Sequence, residues 1–137
     1  MLIFVDTSAW IATVVKKDIN HKKASSYYLD LLNKNIGLIT SNYVLSGVYT
    51  RVRYDVSHQK ACEFRHIISE ATSQRFLSVS WSNEEIENQA WEIFESYRDQ
   101  RFSFVDCTSF VIAKRLKIKE VFAFDDDFVI MGFISRP

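Results

Sequence analysis

Five aspartates stand where short apolar runs give out: Asp6 after Leu2-Ile3-Phe4-Val5, Asp106 after Phe104-Val105, and Asp125, Asp126 and Asp127 after Val121-Phe122-Ala123-Phe124. Any one of them has an ordinary use, because a carboxylate at a helix start accepts free N–H groups and faces the positive end of the helix dipole. Carboxylates brought to one rim by three separate segments are another matter. Crowded like charges raise each other's pKa and oppose folding unless a cation neutralises them. A hard divalent cation with oxygen ligands, Mg²⁺ or Mn²⁺, resolves that repulsion, since Mg²⁺ takes only one or two carboxylates directly and keeps waters and substrate phosphates as its other ligands. The chemistry implied is phosphodiester hydrolysis, with a metal-held water as nucleophile and no call for a catalytic serine or histidine.

The elements that must deliver these acids follow from the apolar pattern. Residues 2–5 are a strand buried on both faces, and Asp6-Thr7-Ser8 supplies capping side chains for a helix from Ser8 to about Val15. A second helix spans His21 to Asn33, with Ala24, Tyr27, Tyr28, Leu31 and Leu32 at helical spacing, and Gly37 ends that stretch. Leu38-Ile39-Thr40 is the next strand, followed by a helix capped by Ser41 or Asn42 and then a helix from Ser57 to about Thr72. Phe76 to Val79 is a third strand, Ser82 caps a helix through Arg98, Phe104-Val105 leads into a helix near Asp106, and Val121 to Phe124 is the final strand. Short apolar strands alternating with amphipathic helices predict an α/β three-layer sandwich, a mostly parallel sheet flanked by helices. In such a sheet, ligands bind outside the carboxyl ends of the strands, the rim on which the aspartates fall.

Composition narrows the partners. With 137 residues, 47% apolar and 25% charged, the chain is expected to form one domain, residues 1–137. Seventeen basic residues balance seventeen acidic ones, so nucleic acid would be held by a local patch or through metal rather than by the field of the whole molecule. Cys62 and Cys107 have no C-x-x-C spacing, which argues against a zinc site and for reduced, buried thiols. The apolar start runs into Asp6 too early for a signal segment, and no run approaches the roughly 20 residues that span a bilayer. A cytoplasmic protein with no membrane contact is expected.

Four stretches, in order, carry a family resemblance: Phe4-Val5-Asp6-Thr7-Ser8; Tyr43-Val44-Leu45-Ser46; Ser103-Phe104-Val105-Asp106-Cys107; and Phe122-Ala123-Phe124-Asp125-Asp126-Asp127-Phe128 with Gly132-Phe133. Together they resemble the PIN domain, in particular its VapC-like toxin branch. The resemblance implies a metal-dependent endoribonuclease using Mg²⁺ or Mn²⁺, an RNA substrate, a homodimer, and a small antitoxin whose tail blocks the acidic cleft. It makes Asp6, Asp106 and Asp125 the metal-binding acids and Asp127 an extra ligand or water-holder, and it leaves Asp126 as a solvated loop charge. It also implies a glutamate where this chain has Gly47, and no acid occurs from Thr40 to Tyr54 to replace it. Glycine costs roughly 0.5–1 kcal/mol against alanine inside a helix, so local structure gives no reason for it. One base change converts a glutamate codon to a glycine codon, which is consistent with a detoxifying substitution; a natural variant that binds one metal weakly, or that kept the fold for binding only, is the alternative. Either way, activity is expected to be reduced.

Among the remaining polar residues, Arg51, one helical turn beyond Gly47, is the preferred phosphate contact, with Arg53, Lys114, Arg115, Lys117 and Lys119 as further cations. Thr7, Ser8, Thr108 and Ser109 are candidates for positioning substrate or water, although capping explains the first pair equally well. His21, His58 and His66 lack metal-ligand spacing and read as surface residues. Trp10, Trp81 and Trp91 are assigned to the core or a dimer face rather than to base stacking. Two other enzyme classes fit less well. A phosphatase-like site would carry a second aspartate where Ser8 stands, and a receiver-type site would need an aspartate after the strand at Phe76–Ser80. A catalytically silent PIN-type module that binds RNA or an antitoxin is the non-enzyme alternative, and Gly47 favours it.

Overall fold

The computed structural model describes residues 1–137. Its first strand, β1 (Leu2–Val5), has Ile3, Phe4 and Val5 all buried, which requires cover on both faces of the sheet. β1 lies between β2 (Gly37–Ser41) and β4 (Glu120–Phe122), with β3 (Leu77–Ser80) beyond β2 and β5 (Ile134–Arg136) beyond β4. The order β3-β2-β1-β4-β5 is parallel throughout, and Phe4 sits opposite Ile39 on one side and Val121 on the other.

Parallel neighbours need crossovers. These are α1 (Thr7–Val14) with α2 (His21–Asn33), α3 (Asn42–Asp55) with α4 (His58–Ser73), α5 (Glu84–Ser96) with α6 (Phe104–Arg115), and the single turn α7 (Asp127–Ile130). Side chains of Asp6, Ser41, Ser57, Asn83 and Ser103 cap α1, α3, α4, α5 and α6, so each start is fixed by a local acceptor. Buried aromatics fill the space around the sheet. Trp10 packs edge-on against Phe64 at 5.6 Å, and Phe110 against Phe128 at 5.0 Å. The Trp10 indole N–H donates to Thr40 Oγ1 at 3.1 Å, and the Thr40 hydroxyl donates to the Val5 carbonyl at 2.9 Å, so one buried hydroxyl ties α1, β1 and β2 together.

The α/β architecture follows the sequence expectation, with three corrections near the chain's end. Phe104-Val105 does not lead into a helix near Asp106 but is already the first turn of α6, because Ser103 and Asp106 close a capping box around it. The strand expected over Val121–Phe124 runs from Glu120 to Phe122, and Ala123-Phe124 turns away toward the acidic loop. It is also not the last: β5 follows, entered through Gly132 at φ +92°. Smaller shifts are the cap of α5, which is Asn83 rather than Ser82, and its end at Ser96 rather than Arg98. No helix is long and apolar enough to cross a membrane.

Successive crossovers carry the chain from β1 outward to β2 and β3, and the next one returns it to the opposite side of β1 as β4. Connections therefore diverge above the carboxyl ends of β1 and β4, leaving the crevice in which such sheets bind ligands. Asp6 and the Asp125–Asp127 loop leave the sheet at that point.

Candidate active site

Asp6 ends β1 and caps α1, its carboxylate Oδ2 accepting from the Ser8 N–H at 3.4 Å and the Ser8 hydroxyl at 3.1 Å. Its own N–H donates to the Phe122 carbonyl at 3.0 Å, which holds the ends of β1 and β4 together. Ser8 Oγ also accepts the Phe124 N–H at 3.0 Å, so one hydroxyl fixes both the first acid and the start of the loop bearing the others. Ser8 is thus a positioning residue with its hydrogen bonds committed. In that loop Asp125 Oδ1 accepts the Asp127 N–H at 3.1 Å. Asp106 stands in the first turn of α6, where its Oδ2 accepts the Ser103 N–H at 3.0 Å while Ser103 Oγ accepts the Asp106 N–H at 3.0 Å. The capping role and a place in the acidic crevice therefore coexist in one side chain.

Electrostatics couple these groups. Asp6 is only 1% exposed and its Oδ1 has no hydrogen-bond donor. Burial, then the charges of Asp125 and Asp106, push its pKa up to about 8, outweighing the Thr7 N–H and the Ser8 hydroxyl, which act to lower it. Asp125 is raised by burial and by Asp106, against the lowering contributions of the Asp127 N–H and of the Asp6 carboxyl. Asp127 is pushed up to about 6 by burial, then by Asp125 and Asp106. Asp126 is exposed, as expected of a loop charge. No three acidic, histidine or cysteine side chains stand close enough to surround an ion by themselves. The donor set nevertheless fits a hard cation that keeps much of its water: it is all oxygen, it carries surplus negative charge, and it holds one buried oxygen with nothing to bind.

Gly47 lies in α3, and a side chain there would enter open space, since no heavy atom lies within 4 Å of where its Cβ would be. Tyr43, Gly47 and Arg51, spaced four apart, share one face of that helix. Tyr43 on that face meets the Phe104 ring at 6.5 Å and donates its hydroxyl to the Glu87 carboxylate of α5. The face therefore looks toward the start of α6, where Asp106 stands.

Residues 3–134 match the PIN domain family. The chain belongs to it. It is 32% identical over 137 residues to the 23S rRNA-specific endonuclease VapC20 of Mycobacterium tuberculosis, spanning 99% of both chains, and 23% identical over 121 residues to a VapC ribonuclease of Archaeoglobus fulgidus, spanning 87% of this chain and 74% of that one. The crystal structure of M. tuberculosis VapC20, described as a Sarcin-Ricin loop cleaving toxin, superposes with a TM-score of 0.83 at 30% identity over 96% of each chain. A chain of Rickettsia felis VapBC2, bound to a DNA fragment from its promoter, gives 0.72 at 15% identity over 99% of this chain and 98% of that one, a likeness of fold.

Within this PIN domain Asp6, Asp125 and Asp127 all feel the charge of Asp106, whereas Gly132-Phe133 sits with Lys117 and Lys119 at the opposite edge of the sheet. Several secondary candidates also stand apart from the acids. Lys114 and Arg115 lie about 12 Å further along α6 than Asp106, at 1.5 Å per residue, and Arg115 pairs with Glu85 at 3.5 Å. Lys117 and Lys119 line a hollow with Met1 and Leu2, at the opposite edge of the sheet. Thr108 and Ser109 are fully buried; the Thr108 hydroxyl donates to the Val105 carbonyl at 2.6 Å, while Ser109 Oγ has no partner. Arg51 and Arg53 are exposed without ion pairs. His21 is not a free surface group, since its Nδ1 lies 2.8 Å from the Ala12 carbonyl. Only Cys107 is buried; Cys62 is exposed. Trp81 and Trp91 are 72% and 54% exposed, so core packing accounts for Trp10 alone. Ser103, which holds Asp106, was legible in its Ser-x-x-Asp spacing; the Tyr43–Glu87 contact had no signal in the sequence.

Proposed function

We propose that this chain is the endoribonuclease toxin of a toxin–antitoxin pair, dependent on Mg²⁺ or Mn²⁺ and weakened by Gly47. The observation that carries the reading is the buried Asp6 carboxylate, one oxygen without a donor, whose ionisation is made harder by burial and by the charges of Asp125 and Asp106. Such a cluster costs stability in the free protein, and a bound cation reverses the sign of that cost. Identity to VapC20 across the whole chain supports RNA as the substrate and a small antitoxin as the partner.

Asp6, Asp106 and Asp125 would hold the cation, with Asp127 at its margin. When bound, that ion supplies an acidified water and neutralises charge on the scissile phosphate. The chain's own contribution is positional. Ser8 locks the Asp6 carboxylate to the β4 loop, Ser103 aims Asp106, and the Asp127 N–H turns Asp125 inward. Thr7, beside Asp6, and Arg51, on the Gly47 face of α3, would meet RNA phosphates. A glutamate at position 47 would extend from that face into open space toward Asp106. Its absence supports a second reading, a PIN module that binds RNA or antitoxin without cutting.

Cleavage of a structured RNA with Mg²⁺, Mn²⁺ or EDTA separates the two readings. Gly47→Glu is expected to gain about 100-fold in metal-dependent rate, some 2.7 kcal/mol of barrier, and Asp106→Asn in that background to remove the gain. If the glutamate variant cuts nothing with either metal, the binding-module reading stands.

A further inference from the structure

A cavity of about 680 Å³ lies away from the acids. It opens on the other flank of α3, between α3, α4 and β3, and its lining includes Asn42, Tyr49, Arg65, Ser69, Thr72 and Trp81. Asn42 begins α3 directly after β2 and Trp81 follows β3. The end marked by Asn42 and Trp81 therefore lies on the same edge of the parallel sheet as Asp6 and Asp125, with Trp81 about two strand spacings, roughly 10 Å, from the line of β1, and Thr72 and Leu77 mark the other end.

Three features define what it would take. First, no carboxylate lines it, and its one charged group is Arg65, whose guanidinium sits 5.8 Å over the Tyr49 ring, donates to the Tyr49 hydroxyl at 3.3 Å and has no acidic partner. Second, Trp81 presents a 72% exposed indole, and the backbone just beyond it is fixed where the Ser82 N–H donates to Asn42 Oδ1 at 2.8 Å. Third, the remaining wall mixes serine hydroxyls and the Asn42 amide with apolar Leu45, Ile68, Leu77 and Val79. A wholly apolar partner would leave the Arg65 guanidinium and the Asn42 amide NH₂ without an acceptor. A planar heterocycle with hydrogen-bonding edges and an anionic group satisfies all three.

The geometry points to a binding site for one unpaired nucleotide of the RNA, its base stacked on Trp81 with polar edges turned to the Asn42 and Ser/Thr wall, and its phosphate held by Arg65. Stacking on an exposed aromatic combined with an arginine at the backbone is how single strands are commonly held. This rests on the ribonuclease reading for its ligand but not for its test, which needs no cleavage.

The test is equilibrium binding of a fluorescently labelled single-stranded RNA to the intact chain in EDTA, at several salt concentrations. Trp81→Ala is expected to weaken binding about tenfold, equivalent to about 1.4 kcal/mol. Arg65→Ala lowers the slope of log affinity against log salt by about one. Trp91→Phe serves as an exposed-tryptophan control expected to bind normally, and thermal melts check that every variant folds. Adenosine and uridine 5′-monophosphates should quench the emission lost in Trp81→Ala. If both cavity variants bind RNA like the parent, with the same salt slope, the proposal is overturned; if in addition only a protein partner shields Trp81 from quenching by iodide, the cavity is a protein-docking site instead. Should Gly47→Glu cut RNA while the cavity variants bind normally, this proposal fails and the nuclease reading survives. Should the cavity variants lose binding while Gly47→Glu stays inactive, the reverse holds.

Discussion

Replacing Asp6 with asparagine should stabilise the metal-free protein, contrary to the usual effect of changing a fully buried polar residue. In the unfolded chain Asp6 ionises near 3.8, and in the folded chain burial, Asp125 and Asp106 move that to about 8. Between those values the native state holds a proton that the unfolded state has lost. Stability therefore falls as pH rises from about 4 to about 8 and levels off above. Four pH units at about 1.4 kcal/mol each set a ceiling of roughly 6 kcal/mol; relaxation of the site and of its neighbours brings the expected cost to roughly 2–4 kcal/mol. Asparagine keeps the shape, its oxygen able to accept from Ser8 and its neutral amide free of the repulsion from Asp125 and Asp106. Urea unfolding in EDTA should show the parent losing stability across this window. Asp6→Asn should keep only the shallower fall that Asp125 and Asp127 contribute and be about 3 kcal/mol more stable at pH 8. Adding Mg²⁺ at pH 8 should raise the parent's midpoint and leave the variant's unchanged. A parent whose stability is flat from pH 4 to 8, or an Asp6→Asn protein less stable at pH 8 in EDTA, would refute the reasoning.

Gly47→Glu should bind the cation more tightly, so that Mg²⁺ raises its melting temperature more than the parent's; at a hundred times the dissociation constant the stabilisation reaches about 2.7 kcal/mol, and equal shifts in the two proteins would count against a ligand at this position. Thr40→Val keeps the volume but strips the Trp10 indole of its acceptor, so chemical denaturation should report a loss of about 1–3 kcal/mol. Ser103→Ala removes the α6 cap, costing about 1 kcal/mol, and frees Asp106 to swing; in the Gly47→Glu background the Mg²⁺ needed for half-maximal cleavage should rise about tenfold, whereas an unchanged requirement would mean that the cap does not orient the acid.

What the sequence disclosed depended on how local each signal was. β1 is a four-residue apolar run that ends in its own helix cap, so the strand, the turn and Asp6 could be placed from adjacent residues. β5 carries no comparable pattern: Ile134 and Arg136 are exposed at the sheet edge, and the strand exists because Glu120, Val121 and Phe122 offer it a ladder. Nothing in Ile-Ser-Arg reveals that. The aspartates were legible as a group because parallel topology sends the ends of β1 and β4 to one crevice whatever the side chains between them. The wall that contains Tyr49, Arg65, Thr72 and Trp81 joins residues from two helices and a strand end whose proximity is purely tertiary, and each alone resembles an ordinary surface position.

On the proposed reading, the position of Gly47 reconciles a fold that keeps its acids with a site one carboxylate short. Helix α3 is anchored by Val44, Val48 and Val52, all fully buried, and capped by Ser41. The face bearing Tyr43, Gly47 and Arg51 contributes little to that packing, and Gly47 itself borders empty space. Exchanging glycine and glutamate there alters the charge of the crevice without disturbing the core. Removing a carboxylate from a crevice in which Asp6 is already driven to about 8 relieves repulsion in the metal-free protein, which offsets the roughly 0.5–1 kcal/mol that glycine costs the helix. The fold therefore tolerates the change that the proposed chemistry does not, and a protein with Gly47 should melt close to its glutamate variant in EDTA and diverge from it only when Mg²⁺ is added.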